Sequence, residues 1–388
     1  MAVKSCQSVL SRIIIIRSVL CPVSRRSFRR SPKHKETAAI PNTDLDAAEA
    51  THAAGRTRRW SQIAARYATP DPRRSLLQLL TTIVPLAALW TAMALTVEDA
   101  AWLSLLLSVP AAAFLMRLFM IQHDCGHRAF FRSARLNDLL GHAIGVLTLT
   151  PHAYWRRAHN THHATSGHLD RRGTGDVSLL TVREYRALPR WRRLGYRLYR
   201  HPLVLLGIGP LYLFVVKHRF PLDGLRRHYR VLVSVLATNL AVAVLMSGLV
   251  LWLGFTGALL VQVPFVLLAS LAGVWLFYVQ HQFEQTYWRR DGDWDFHEAA
   301  ILGSSHYHLP QPLRWLTADI GIHHIHHLSS RIPNYRLAEC LAENAELQRS
   351  ARRITLRESF ACLRLGLWDE QAGRLVRFSA LKRERPTR

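Results

Sequence analysis

Nine of the 21 histidines in this 388-residue chain, eight in three sets and one alone, are candidates for metal binding. His123 and His127 form an HxxxH set. His159, His162 and His163 form HxxHH, and so do His323, His326 and His327, with His324 inside that third set. His281 stands alone in Tyr-Val-Gln-His. Residues i, i+3 and i+4 share a helical face, so each set can aim its imidazoles at one region. Neutral imidazole binds Zn, Cu, Fe and Ni. Nine ligands are too many for one ion and suit two. A single pair at helical spacing is ordinarily a surface or core feature; three sets gathered on one side of a membrane are not.

The elements that must gather them are apolar. Residues 75–97 carry no charge, 100–122 carry only Arg117, and 231–253 and 256–280 carry none. Each block has the roughly 20 residues that a helix needs to cross a bilayer. Glu98 and Asp99 separate the first two blocks, and a few residues around Gly254 and Gly257 separate the last two. The reading is an all-α integral membrane protein of four transmembrane helices in two hairpins. A cytoplasmic helical cap then holds a histidine-rich di-metal site. Parity supports it: His123 follows the second span and His281 the fourth, so two hairpins leave every histidine set on one face. The stretch 203–216 is apolar but short, broken by Gly207, Gly209 and Pro210, and is read as interfacial or re-entrant; 136–149 is a similar candidate.

Lys and Arg total 51 against 26 Asp and Glu, a net charge of +25. The excess lies in the N-terminal stretch, the long segment 123–230 and the tail, which the hairpins place on one face. The positive-inside rule makes that face cytoplasmic. The charge then orients the protein, and no nucleic-acid-binding motif accompanies it. Residues 1–58 are basic, with no acid before Glu36, and read as a disordered leader; a transit peptide and an upstream start codon are the other readings. Residues 59–368 form one catalytic domain and 369–388 a basic tail.

The three sets, with four spans so arranged, resemble the membrane-bound fatty acid desaturases, nearest to the bacterial acyl-lipid enzymes of the Bacillus delta-5 type. The resemblance runs from about His123 to Trp368. It is carried by His123-Asp-Cys-Gly-His127, His163-Ala-Thr-Ser-Gly167, Arg197-Leu-Tyr-Arg200 through Gly209-Pro-Leu-Tyr212, Trp275 through His281, and Gly321 through Tyr335. The resemblance implies a di-iron centre that uses O2 and two electrons to insert a cis double bond into a lipid acyl chain. It implies His123, His127, His159, His162, His163, His281, His323, His326 and His327 as ligands. Asp124, His324, Asp176 and Asp319 are candidates for orienting those ligands, with Asp124 expected to serve a histidine of another set. The chemistry is consistent: no side-chain base reaches an unactivated C–H bond, and zinc has no redox chemistry.

The electrons need a second protein. His201-Pro202 continues as Leu-Val, not as the His-Pro-Gly-Gly of a fused cytochrome domain. The five cysteines show no CxxC and the chain no GxGxxG. A separate ferredoxin, flavodoxin or cytochrome is implied, as is a bacterial inner-membrane location with the site on the cytoplasmic face. Arg190, Arg192, Arg193, Arg197 and Arg200 would suit an acidic carrier or anionic headgroups. A di-iron hydroxylase or ketolase of a lipid, alkane or carotenoid is the alternative on the same scaffold. Metal transport is a poorer fit, because the spans hold no histidine except at their ends.

Overall fold

The structure is a computed structural model that describes residues 59–220 and 228–382. The expected leader, 1–58, lies outside the described residues, as do 383–388 of the expected tail.

Helix α1, Pro72–Thr96, starts where Asp71 accepts hydrogen bonds from the Arg73 and Arg74 amides, with proline at its first position. Helix α2, Ala101–Gly126, lies against it. It runs four residues past the apolar block, so His123 and its neighbours continue the helix. Helix α3 is Ala134–Leu147 and α4 is His152–Thr165, which carries the second histidine set. Helix α5, Arg190–Tyr199, leads into residues 203–217, which bend away by 61°. That segment is wound more loosely than an α-helix on both sides of Gly209-Pro210.

Helix α6, Tyr229–His281, counts 53 residues but is not straight. Gly254 adopts φ 68° and ψ 172°, a conformation that a side chain would oppose. The two arms fold back on each other there. Val231 and Val235 of the first arm pack on Tyr154, and the Ser234 hydroxyl accepts from the Ala153 amide. At the far end, His281 meets His162. A straight helix of this length would separate those ends by about 80 Å, yet both touch the 14-residue α4. Trp90 of α1 touches both arms, through Trp252 and Gln262. By length and composition α1, α2 and α6 can each cross a bilayer.

Beyond the apolar helices lie short elements. Helix α7, His323–Leu328, carries the third histidine set and is buried throughout. Strand β1 (Leu180–Thr181) pairs with β4 (Leu365–Asp369), and β4 with β5 (Arg374–Arg377); β2 (His306–His308) pairs with β3 (Arg353–Thr355). Residues 374–377, assigned by composition to the tail, are thus a strand.

Candidate metal centre

The nine histidines converge in two groups. His123, His127, His159, His163 and His326 form one; His162, His281, His323 and His327 form the other. Within each group the ring nitrogens lie within 4.8 Å of one another. All nine come from helix ends or short helices: α2 and its capping residue His127 give two, α4 three, α6 one and α7 three. The HxxHH sets are divided. His159 and His163, at i and i+4, serve the five-imidazole group, while His162 turns to the four. His323 and His327 serve the four, while His326 turns to the five. Helix geometry permits this division, because adjacent residues point about 100° apart. The spacing alone suggested that all three residues of a set face together; they straddle two groups instead.

The rings approach closely. The Nε2 atoms of His123 and His159 are 3.0 Å apart, those of His163 and His159 3.1 Å, and those of His326 and His163 3.1 Å. In the second group His281 Nε2 is 3.1 Å from His162 Nε2 and 2.9 Å from His323 Nε2. Two ligands at right angles on an ion with bonds of about 2.1 Å stand about 3 Å apart. The Nε2 atoms of His127 and His327 are buried with no hydrogen-bond partner, which a protein tolerates poorly without a ligand. Burial, reinforced by the neighbouring rings, pushes His159, His163, His323, His326 and His327 well below the usual imidazole range. These five rings are therefore neutral, each with a lone pair to offer. Two ions held by all-imidazole shells fit these residues.

Outer contacts set the ring orientations. His162 Nδ1 donates to Asp176 Oδ1 at 2.5 Å, and His281 Nδ1 to the Gly303 carbonyl at 3.1 Å. Each bond leaves Nε2 to face its group. Asp124 Oδ1 lies 3.3 Å from Nδ1 of His123, in its own set, where a histidine of another set was expected. Its Oδ2 accepts from the Asn334 amide and side chain, at 2.7 and 2.8 Å. Asp124 thereby ties the first set to the start of the helix Asn334–Glu343, which follows the third. His324 belongs to neither group; its Nε2 donates to the Leu347 carbonyl. Asp319 pairs with Arg314. Aromatic rings close the sides. Trp155 stacks on His159 at 4.5 Å, and Phe277 lies 5.1 Å from His162. Gly126 is needed there, since a Cβ would stand 2.7 Å from the Trp155 ring.

Sequence reasoning missed Asn334 and the Gly303 and Leu347 carbonyls. Asn334 stood within the stretch that carried the family resemblance; backbone carbonyls leave no signal in residue types. A third grouping joins the buried His168 to the exposed Asp170 and Asp291, and Arg290 and Arg171 pair with the two acids.

An apolar helical scaffold that ends in two buried imidazole groups defines a membrane-type protein with a histidine-rich metal centre. The model of the family described as fatty acid desaturase matches residues 100–357, which include all nine histidines. The chain belongs to the fatty acid desaturase family and is an oxidoreductase. It is 46% identical over 321 residues to a fatty acid desaturase of Bacillus subtilis, covering 83% of this chain and 90% of that one. It is 30% identical over 230 residues to the sn-1 oleoyl-lipid 12-desaturase of a Synechocystis species, covering 56% and 62%. It is 31% identical over 243 residues to a Nostoc protein named sn-1 acyl-lipid omega-3 desaturase (ferredoxin), covering 57% and 61%.

Proposed function

We propose that the chain is an acyl-lipid desaturase. It inserts a cis double bond into a membrane lipid acyl chain, using O2 and two electrons, at two irons held by the nine histidines. The observation that carries this reading is the pair of buried, all-imidazole groups. Iron bound there supplies, with O2, the oxidising power that an unactivated C–H bond demands. The chain's own residues do the rest. Asp176 and the Gly303 carbonyl hold His162 and His281 in one tautomer and orientation. Burial keeps His127, His159, His163, His281, His323, His326 and His327 neutral. Phe119, Trp155 and Phe277 give the groups an apolar flank that excludes water.

The apolar helices cross the membrane four times in two hairpins, with 59–368 as the catalytic domain. The histidine ends, the Arg-rich stretches and the short elements form a cap on the cytoplasmic face of a bacterial inner membrane. Helix α5 lies along that face. Its exposed stripe of Trp191, Leu194 and Leu198 dips into lipid, and Arg190, Arg192 and Arg197 meet anionic headgroups. Residues 203–217 stay on the same side. The electrons come from a separate carrier of ferredoxin, flavodoxin or cytochrome type; the ferredoxin in the name of the Nostoc relative favours the first.

The test is expression in a bacterium that lacks polyunsaturated lipids, with a ferredoxin and its reductase co-expressed. Gas chromatography–mass spectrometry of the fatty acid esters should reveal a new unsaturated species that a His326→Ala strain lacks. A hydroxylated product would move the chain to hydroxylase chemistry. No product from iron-loaded protein would refute an ordinary membrane acyl chain as substrate.

A further inference from the structure

We propose that Arg200 is a positioning residue for the four-imidazole group, holding its His281 and Asp176 segments in register so that the group binds its metal. The proposal rests on the two-metal reading above.

Arg200 follows the last residue of α5 and is only 4% exposed. Its Nη2, with two N–H donors, lies within hydrogen-bond distance of three acceptors: the Tyr278 hydroxyl at 3.1 Å, the Gln282 side-chain carbonyl at 2.9 Å and the Leu365 carbonyl at 2.9 Å. Its NH1 donates to the Ser178 carbonyl at 3.3 Å. The guanidinium lies 5.5 Å from the centre of the Tyr278 ring. Among the described residues no carboxylate pairs with it. A buried cation held only by neutral acceptors costs solvation energy and contributes less to stability than a paired one. Arg172 shows the contrast, since it bridges both oxygens of Glu184 in the same cap.

What Arg200 touches explains its place. Tyr278 and Gln282 flank His281 at the end of α6. Ser178 lies two residues after Asp176, which orients His162. The Ser178 amide also donates to the hydroxyl of Tyr199, beside Arg200. One planar fork therefore fixes two of the segments that serve the four-imidazole group, the end of α6 that carries His281 and the loop that carries Asp176. It touches none of the five histidines of the other group. A flexible ammonium could not reach acceptors in three segments at once.

The experiment is a Co2+ titration of metal-free, full-length protein in lipid nanodiscs, read by visible absorption and by metal content after dialysis. The step absent in His281→Ala identifies the four-imidazole group. In Arg200→Gln that step should weaken about 10- to 100-fold, as for other partners that orient ligands, while the second step is unchanged. Arg200→Lys should behave nearly as badly, and Gln282→Leu should weaken the same step less. Arg172→Gln should lower the melting temperature and leave both steps intact. Unchanged binding in Arg200→Gln, or equal weakening of both steps alongside a lowered melting temperature, overturns the proposal. A wild-type protein that fails to load both groups overturns the two-metal reading and this proposal with it.

Discussion

The two histidine groups use the same side chain but are built to different standards of support. The four-imidazole group is buried throughout, and two of its rings are oriented from outside, His162 by Asp176 and His281 by Gly303. The five-imidazole group includes two half-buried rings, His159 and His163. Among its rings only His123 has a protein partner on its outer nitrogen, at 3.3 Å. Five donors give redundancy; four donors need precise placement. Ligand number and outer support trade against each other, and the smaller group should be the more fragile.

Removing a ligand has the largest expected effect and tests that difference directly. His162→Ala and His326→Ala should both abolish turnover while the protein still inserts in the membrane. They should differ in iron content. His162→Ala leaves three imidazoles and should lose the iron of its group, whereas His326→Ala leaves four and should retain much of its own. Equal iron loss in the two variants would erase the distinction between the groups.

The next effect is smaller and separates the two carboxylates. Asp176→Asn replaces the charged acceptor that fixes His162 with a neutral amide and should cost about 10- to 100-fold in metal affinity or activity. Asp124→Asn leaves a weaker contact to His123 but disturbs two hydrogen bonds from Asn334. It should lower thermal stability more than iron content. Iron analysis and melting curves of the two variants, side by side, check the order.

Much of this was legible in the sequence, for reasons that also mark its limits. The uncharged blocks matched helices within a few residues because a bilayer-length apolar run has few other structures open to it. The nine histidines converge, as their recurrence at helical spacing led one to expect. Their division between two groups was not legible, since HxxHH shows which residues share a helix and not which neighbours they find. Strands of two to five residues, such as β1 or β2, are too short for alternation to betray them. Asp124 found its own neighbour His123 and the amide of Asn334, partners that no spacing rule connects.

The smallest effect concerns a histidine that no group uses. His152 begins α4 seven residues before His159, is fully buried, and has no hydrogen-bond partner at either ring nitrogen. It fills the space left by Gly141, where a Cβ would stand 2.3 Å from its ring. Burial, then the charges of His142 and Arg156, push its pKa down to about 3. In the unfolded chain the value is about 6.5. Its neutral form therefore contributes full stability above about pH 6.5, and that contribution is lost as pH falls toward 3, where the unfolded chain binds a proton that the folded one refuses. An apolar side chain of similar size has no such proton. In iron-loaded protein, where the metal holds the ligand rings, His152→Leu should shrink the difference in urea midpoint between pH 7.5 and pH 5. The slope removed is at most about 1.4 kcal/mol per pH unit. Iron content and turnover at pH 7.5 should not change, because the ring supports the packing of α4 on α3 and touches neither group. An undiminished acid sensitivity would mean that His152 is protonated in the fold, and a loss of iron would mean that the first turn of α4 positions its histidines through this ring.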